Sequence, residues 1–116
     1  MKMIVSIIRP EKLEAVQQAL NESDVFLMTV TDVRGCGRQR GFKEVFRGQE
    51  YMVRLLPKVK LEIACNDSFV ESAVEVIVKS ARSDNGQIGD GKIFVLPMDD
   101  CVRIRTGERG GEAIGP

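Results

Sequence analysis

The 116-residue chain balances 17 lysines and arginines against 17 aspartates and glutamates, so no overall field draws it to nucleic acid or an acidic membrane surface, and any basic site has to be local. Histidine is absent, which removes the commonest general base, the usual metal ligand and the phosphohistidine route to nucleotide phosphorylation. There is no tryptophan and aromatics make up only 5%, so stacking platforms for single-stranded nucleic acid are not expected.

The length suits one domain with its own core. No apolar run approaches the roughly 20 residues that span a bilayer, and nothing at the N-terminus resembles a signal peptide. A soluble, cytoplasmic protein is expected. Cys36, Cys65 and Cys101 lie far apart and are odd in number, which reads as free thiols rather than a disulfide framework.

Met3 to Ile8 is a short β-branched apolar run, and Arg9-Pro10-Glu11 then reads as a helix start with proline in the first turn. Leu13, Val16 and Leu20 recur at helical spacing until Asn21-Glu22-Ser23-Asp24. Phe26 to Arg34 has strand composition and ends at Gly35-Cys36-Gly37. Gly35 to Pro57 is polar and glycine-containing, without a sustained period before Met52-Val53, and a loop of that length inside a compact domain is usually functional or disordered. It is read as functional. Val59, Leu61 and Ile63 alternate with Lys60, Glu62 and Ala64, a strand with one buried face and one wet face. Ser68-Phe69-Val70-Glu71 fits a capping box, ahead of a stripe of Val70, Ala73, Val74, Ile77, Val78 and Ala81. Gly89-Asp90-Gly91 makes a tight turn into a strand over Lys92 to Leu96, closed by Pro97. Val102 to Arg105 reads as a short strand, followed by a loose glycine-rich end.

Strand, helix, strand, strand, helix, strand is the order of a ferredoxin-like βαββαβ sandwich, an α+β fold with two helices on one face of an antiparallel sheet. The other face calls for a partner, and self-association is expected.

Three segments carry candidate chemistry. Gly89-Asp90-Gly91-Lys92 lets backbone N–H groups approach an anion beside a lysine, or is an ordinary Asp-Gly turn. Arg103 and Arg105, if extended, share a face and form two guanidinium forks for a polyphosphate, or are surface charges. Gly35 to Gly41 interleaves glycine with cations without the spacing of a P-loop. Converging, the three would suit a nucleotide, with Glu62 accepting from an amino or hydroxyl group or simply solvated.

Gly37-Arg38-Gln39-Arg40-Gly41, Phe46-Arg47-Gly48-Gln49-Glu50-Tyr51-Met52-Val53, Leu56-Pro57-Lys58-Val59-Lys60, Ile88-Gly89-Asp90-Gly91-Lys92-Ile93-Phe94-Val95 and Val102-Arg103-Ile104-Arg105-Thr106-Gly107-Glu108 resemble, in order, the PII signal-transduction family. The resemblance implies a single PII-type domain over residues 1–116, with a T-loop at about 37–57, a nucleotide-binding loop at about 83–92 and a C-terminal loop at about 99–116. It implies a homotrimer that senses nitrogen, carbon and energy by binding ATP or ADP in clefts between subunits, at Thr29, Gly37, Arg38, Gln39, Glu62, Gly89, Asp90, Gly91, Lys92, Arg103 and Arg105. It further implies 2-oxoglutarate at Arg9, Gln39, Arg40, Gly41 and Lys58, bridged by Mg²⁺ to ATP through Gln39, the only residue expected to ligate the metal. The implied partners are an ammonium transporter, glutamine synthetase regulation or nitrogenase control, reached through the T-loop. Contact with a membrane would come only through a partner. Tyr51 falls where relatives are uridylylated by a nucleotidyltransferase, although Phe46 and Gln49 beside it depart from the usual residues. The segment before Gly89 is longer than in familiar members, and Asp100 stands where a basic or neutral residue is expected near the phosphates. No catalytic residue is implied. The alternative reading is a slow nucleotide phosphohydrolase on the same scaffold, which would have to rely on metal and lysine alone.

Overall fold

The computed structural model describes residues 1–36, 44–46, 49–51 and 55–115, the two short central pieces by backbone alone. Its central sheet has the order β2-β5-β1-β6 and is antiparallel throughout, formed by β1 (Lys2–Ile8), β2 (Thr29–Gly35), β5 (Leu56–Cys65) and β6 (Gly91–Pro97). A separate ribbon pairs β3 (Glu44–Phe46) with β4 (Gln49–Tyr51), register Val45 to Glu50. Two helices, α1 (Leu13–Glu22) and α2 (Asp67–Ala81), pack against each other and on one sheet face, and a short α3 (Gly111–Ile114) follows the tail. This is the expected ferredoxin-like α+β order.

Period-two alternation makes the sheet two-faced. Ile4 and Ile8 of β1 and Val59, Leu61, Ile63 and Cys65 of β5 are buried together with Val16 and Leu20 of α1 and Val70, Ala73, Ile77 and Ala81 of α2. Register puts Met3, Val5 and Ile7 on the opposite face, beside Phe94 and Leu96 of β6. Phe94 and Leu96 stay 50% and 45% exposed, since neither of the two long helices lies on that side.

Several element boundaries differ in detail from those expected of the sequence. A 3-10 turn over Pro10–Lys12 precedes α1, with proline at its first position. Helix α1 ends in a Schellman closure: Val25 N–H donates to the Leu20 carbonyl at 2.9 Å and Asp24 N–H to that of Asn21 at 3.1 Å. Asp24 takes the left-handed conformation there (φ 63°). Strand β2 starts at Thr29 rather than Phe26, and Phe26 and Leu27 are exposed in the connection before it. The ribbon β3–β4 lies in the stretch read as lacking a sustained period.

The capping box over Ser68 to Glu71 does not form. Helix α2 begins at Asp67 with Asn66 as its N-cap residue, and the Asn66 side chain makes no cap bond. It donates instead to the carbonyls of Gly111 and Gly115 at 3.2 and 3.1 Å. Val78 sits at the margin of the α2 stripe, 38% exposed. Val102 to Arg105 is not a strand: Val102 makes a single bridge to Arg109, and the chain turns so that Gly107 N–H donates to the Arg103 carbonyl at 2.7 Å. Among the described residues no helix is long and apolar enough to cross a membrane.

Candidate functional site

The C-terminal end of β1, the start of β5 and the loop that feeds β6 meet at one end of the sheet, because β1 pairs Ile8 with both Val59 and Gly91. Arg9 follows β1 directly, and Lys58 stands one residue before Val59. Both cations hold the loop between α2 and β6. Arg9 donates from Nε to Asp90 Oδ1 at 3.1 Å and from Nη2 to the Ile88 carbonyl at 2.9 Å. Lys58 Nζ donates to the Gly89 carbonyl at 2.8 Å.

Asp90 organises this loop from within. Its Oδ2 accepts the backbone N–H groups of Ser83 at 3.0 Å and Gln87 at 2.9 Å, while Oδ1 takes Arg9. Burial pushes the Asp90 carboxyl up, but the hydrogen bonds from Ser83, Gln87 and Arg9 outweigh it and hold the group far below the ordinary carboxylate range. The carboxylate oxygens are therefore occupied by Arg9 and by the loop's own N–H groups. Gly86, Gly89 and Gly91 all have positive φ. Gly91 also lies so close to β1 that a Cβ would fall 1.8 Å from the Ile7 carbonyl oxygen.

The Lys58 ammonium is pushed down, first by burial and then by the Arg9 charge, with Glu11 and Asp90 acting in the opposite direction. The two cations thus lie close enough to perturb one another, and the Arg9 charge is met by Asp90. Lys58 also borders an open cleft of about 700 Å³, lined among others by Asp32, Arg34 and Leu55.

Thr29 and Glu62 are cross-strand partners on the uncovered sheet face, with Glu62 opposite Val5. Lys60 Nζ lies 3.7 Å from Glu62 Oε1. Lys92 sits on the same face opposite Ile7, exposed. Gly37, Arg38, Gln39, Arg40 and Gly41 lie outside the described residues, as does the Tyr51 side chain. The strand leading toward the first five ends at Gly35, opposite Leu56, at the same end of the sheet as Arg9 and Lys58.

Arg103 and Arg105 are elsewhere. Met98 N–H donates to the Met1 carbonyl at 3.2 Å and the tail contacts Asn66, so both arginines belong to the end of the sheet where β1 begins. The seven residues of β1 separate the two ends, about 20 Å at a strand's rise. Within one chain the arginines thus do not join the Gly89–Lys92 loop, and the expected shared face of an extended pair is lost in the turn. Arg103 is turned onto Glu108 (Nη1 to Oε1, 3.0 Å), while Arg105 is exposed. Asp100 is likewise occupied within the tail: its Oδ2 lies 2.6 Å from Arg109 Nη2, and Oδ1 accepts Cys101 N–H at 2.8 Å and Gly110 N–H at 3.2 Å. These bonds, the one from Arg109 foremost, hold its carboxyl below the ordinary range. The organising role of Asp90 and the tethering role of Asn66 were not legible in the sequence. Arg9 lies 81 positions from Asp90 and the acceptors of Asn66 lie 45 and 49 positions on, and only the Ser83 and Gln87 donors to Asp90 are close along the chain.

A ferredoxin-like α+β chain with a cation-held, glycine-rich loop at one sheet end and an uncovered apolar sheet face is the class that fold and site define. The family model "Nitrogen regulatory protein P-II" matches residues 1–108. A Nitrogen regulatory protein P-II from Azospirillum brasilense is 54% identical over 98% of this chain and 100% of its own length. Nitrogen regulatory protein P-II 2 of Methanothermobacter thermautotrophicus is 57% identical, covering 98% of this chain and 97% of that protein, and Nitrogen regulatory protein GlnK1 of Methanosarcina mazei is 47% identical with the same coverage. The chain belongs to the P-II family of nitrogen regulatory proteins.

Proposed function

We propose that the protein is a non-enzymatic sensor that binds ATP or ADP, and 2-oxoglutarate with Mg²⁺-ATP, and signals to nitrogen-metabolism partners through the segment 37–57. The observation that carries the reading is the joint grip of Arg9 and Lys58 on the Ile88–Asp90 backbone. An acid bound at these cations and a nucleotide bound at Gly89, Gly91 and Lys92 would share one loop, so each would alter the other's affinity equally.

The remote position of Arg103 and Arg105 supports a nucleotide cleft made by two copies, one supplying the glycine loop and the other the arginines. The strip of Met3, Val5, Ile7, Phe94 and Leu96 is the surface on which a homotrimer would close. Gln39 would hold Mg²⁺ alongside the ATP phosphates, with Arg40 and Gly41 near the acid and Gly37 and Arg38 near the nucleotide. Glu62 and Thr29 would face base and ribose. An ammonium transporter is one partner class, and the GlnK1 name of the Methanosarcina relative fits a nitrogen-regulatory setting. Tyr51 remains a candidate for uridylylation.

Calorimetric titration of 2-oxoglutarate into the protein with Mg²⁺-ATP, with ADP and without nucleotide tests the reading. Binding confined to Mg²⁺-ATP is expected. ATP bound with no response to the acid under any condition would reject the effector assignment, and steady ATP turnover would favour the phosphohydrolase.

A further inference from the structure

Arg103 is occupied within its own chain. Besides Glu108 Oε1, its guanidinium reaches the carbonyls of Glu112 at 3.1 Å and Ala113 at 3.3 Å through Nη2. These are carbonyls of the four-residue α3, which is too short to hold itself together and rests on outside contacts. Asn66 supplies more of them, at Gly111 and Gly115. Ala113 and Ile114 supply the rest by burial, with Ile114 beside Val25, Cys65 and Phe69. A cation at a helix C-terminus is favourable because it meets carbonyls that lack intrahelical donors. The same guanidinium cannot also fork onto a phosphate with both outer nitrogens.

We propose that α3 is a self-docked competitor for Arg103, so that nucleotide phosphate and α3 exclude one another: the loaded protein releases residues 111–115 and uncovers the apolar seat of Ile114. The proposal rests on the nucleotide role of Arg103 put forward above. Its chemistry is an exchange of one set of acceptors, the Glu108 carboxylate and two neutral helix carbonyls, for another, the nucleotide phosphates. By linkage, whatever loosens α3 tightens nucleotide binding by the same factor.

The test uses the full chain. Hydrogen exchange of residues 108–115 is followed with and without Mg²⁺-ATP, and ATP affinity is measured for wild type, Asn66→Ala and Glu108→Gln. Asn66→Ala spares the cap of α2, because its side chain makes no cap bond there. Glu108→Gln removes charge from the Arg103 contact without removing the group's size. Expected are faster exchange at 111–115 on loading and a 3- to 10-fold tighter ATP affinity in both variants, the size of an ordinary coupling. ATP binding with unchanged exchange at 111–115 and unchanged affinity in both variants would overturn the competition while leaving the sensor reading intact. Failure of wild type and both variants to bind ATP at all would overturn both.

Discussion

Asp90 accepts a hydrogen bond from Arg9 across 81 positions of sequence, at 3.1 Å, while its second oxygen takes two N–H groups of its own loop. The contact ties the shape of the loop before β6 to the end of β1. Asp90→Asn removes the charge and replaces one acceptor with a donor, and should lower stability by about 1–2 kcal/mol, as for a hydrogen-bonded charged group. The pH dependence has a definite sign. The folded-state carboxyl lies below its unfolded value of about 3.9, so its contribution is complete above that pH and fades as the pH falls beneath it. Urea midpoints of wild type and Asp90→Asn should differ at pH 7 and draw together at pH 3. An equal gap at both pH values would contradict this account.

Lys58 donates to the Gly89 carbonyl and lies near Arg9. Lys58→Met keeps the aliphatic stem and removes the donor and charge, and is expected to weaken 2-oxoglutarate binding at least 10-fold, with ATP affinity changed by less. Because burial and Arg9 depress the folded ammonium, charging Lys58 opposes folding. The wild type should therefore gain relative to Lys58→Met as pH rises through the folded value toward about 10.4. Paired melts across that alkaline window test the sign.

Gly91 shows where a glycine is obligatory. Its φ of 115° and the 1.8 Å approach of a would-be Cβ to the Ile7 carbonyl oxygen leave no room for a side chain against backbone. Gly91→Ala should separate β6 from β1 at its first pair and destabilise by about 3 kcal/mol or more. Gly107→Ala, also at positive φ but with nothing within 4 Å, should lose only about 1 kcal/mol. Comparable losses at the two sites would contradict the steric argument.

How much of this was legible in the sequence depends on range. The alternation of Val59, Leu61 and Ile63 with Lys60 and Glu62 specified β5 and its faces because period-two burial is a local property. The α2 stripe was legible for the same reason. The start of α2 was not, since the choice of Asn66 over Ser68 goes with a tether to Gly111, 45 positions on. The tail misled through its arginines. Alternating Val102, Arg103, Ile104 and Arg105 imitate a strand, yet Ile104 is fully exposed and Gly107 closes a turn. Of the candidate site, residue types were visible, while the inward use of Asp90 and Arg103 depended on which oxygens the fold brought near them.

Ser6 is fully buried between Ile4 and Ile8 on the helix-covered face, and its hydroxyl has no hydrogen-bond partner. Taking a hydroxyl out of water without a partner costs about 1–3 kcal/mol on mutational scales. Ser6→Ala removes the group and little volume, so it should raise stability by about 1 kcal/mol, read as a higher urea midpoint at unchanged slope. A lower midpoint would mean that the hydroxyl is bonded in solution.

Phe94 faces Val5 across β1 and β6 on the sheet side opposite the two long helices, half exposed beside Leu96. An aromatic ring left in water there, in line with Met3 and Ile7, is the kind of strip that closes against a symmetric copy. Phe94→Glu would place a charge at the centre of such an interface, where desolvating it without a counter-ion costs several kcal/mol. Light scattering should therefore give a trimer for wild type and a monomer for Phe94→Glu, and the monomer should lose ATP binding together with its assembly. That second loss follows because Arg103 and Arg105 lie at the other end of the sheet from Gly89 and Lys92, so one chain cannot offer both to the same nucleotide. A monomer that bound ATP as tightly as wild type would show that the arginines are not needed in the cleft, whereas an unchanged trimer would place the interface elsewhere.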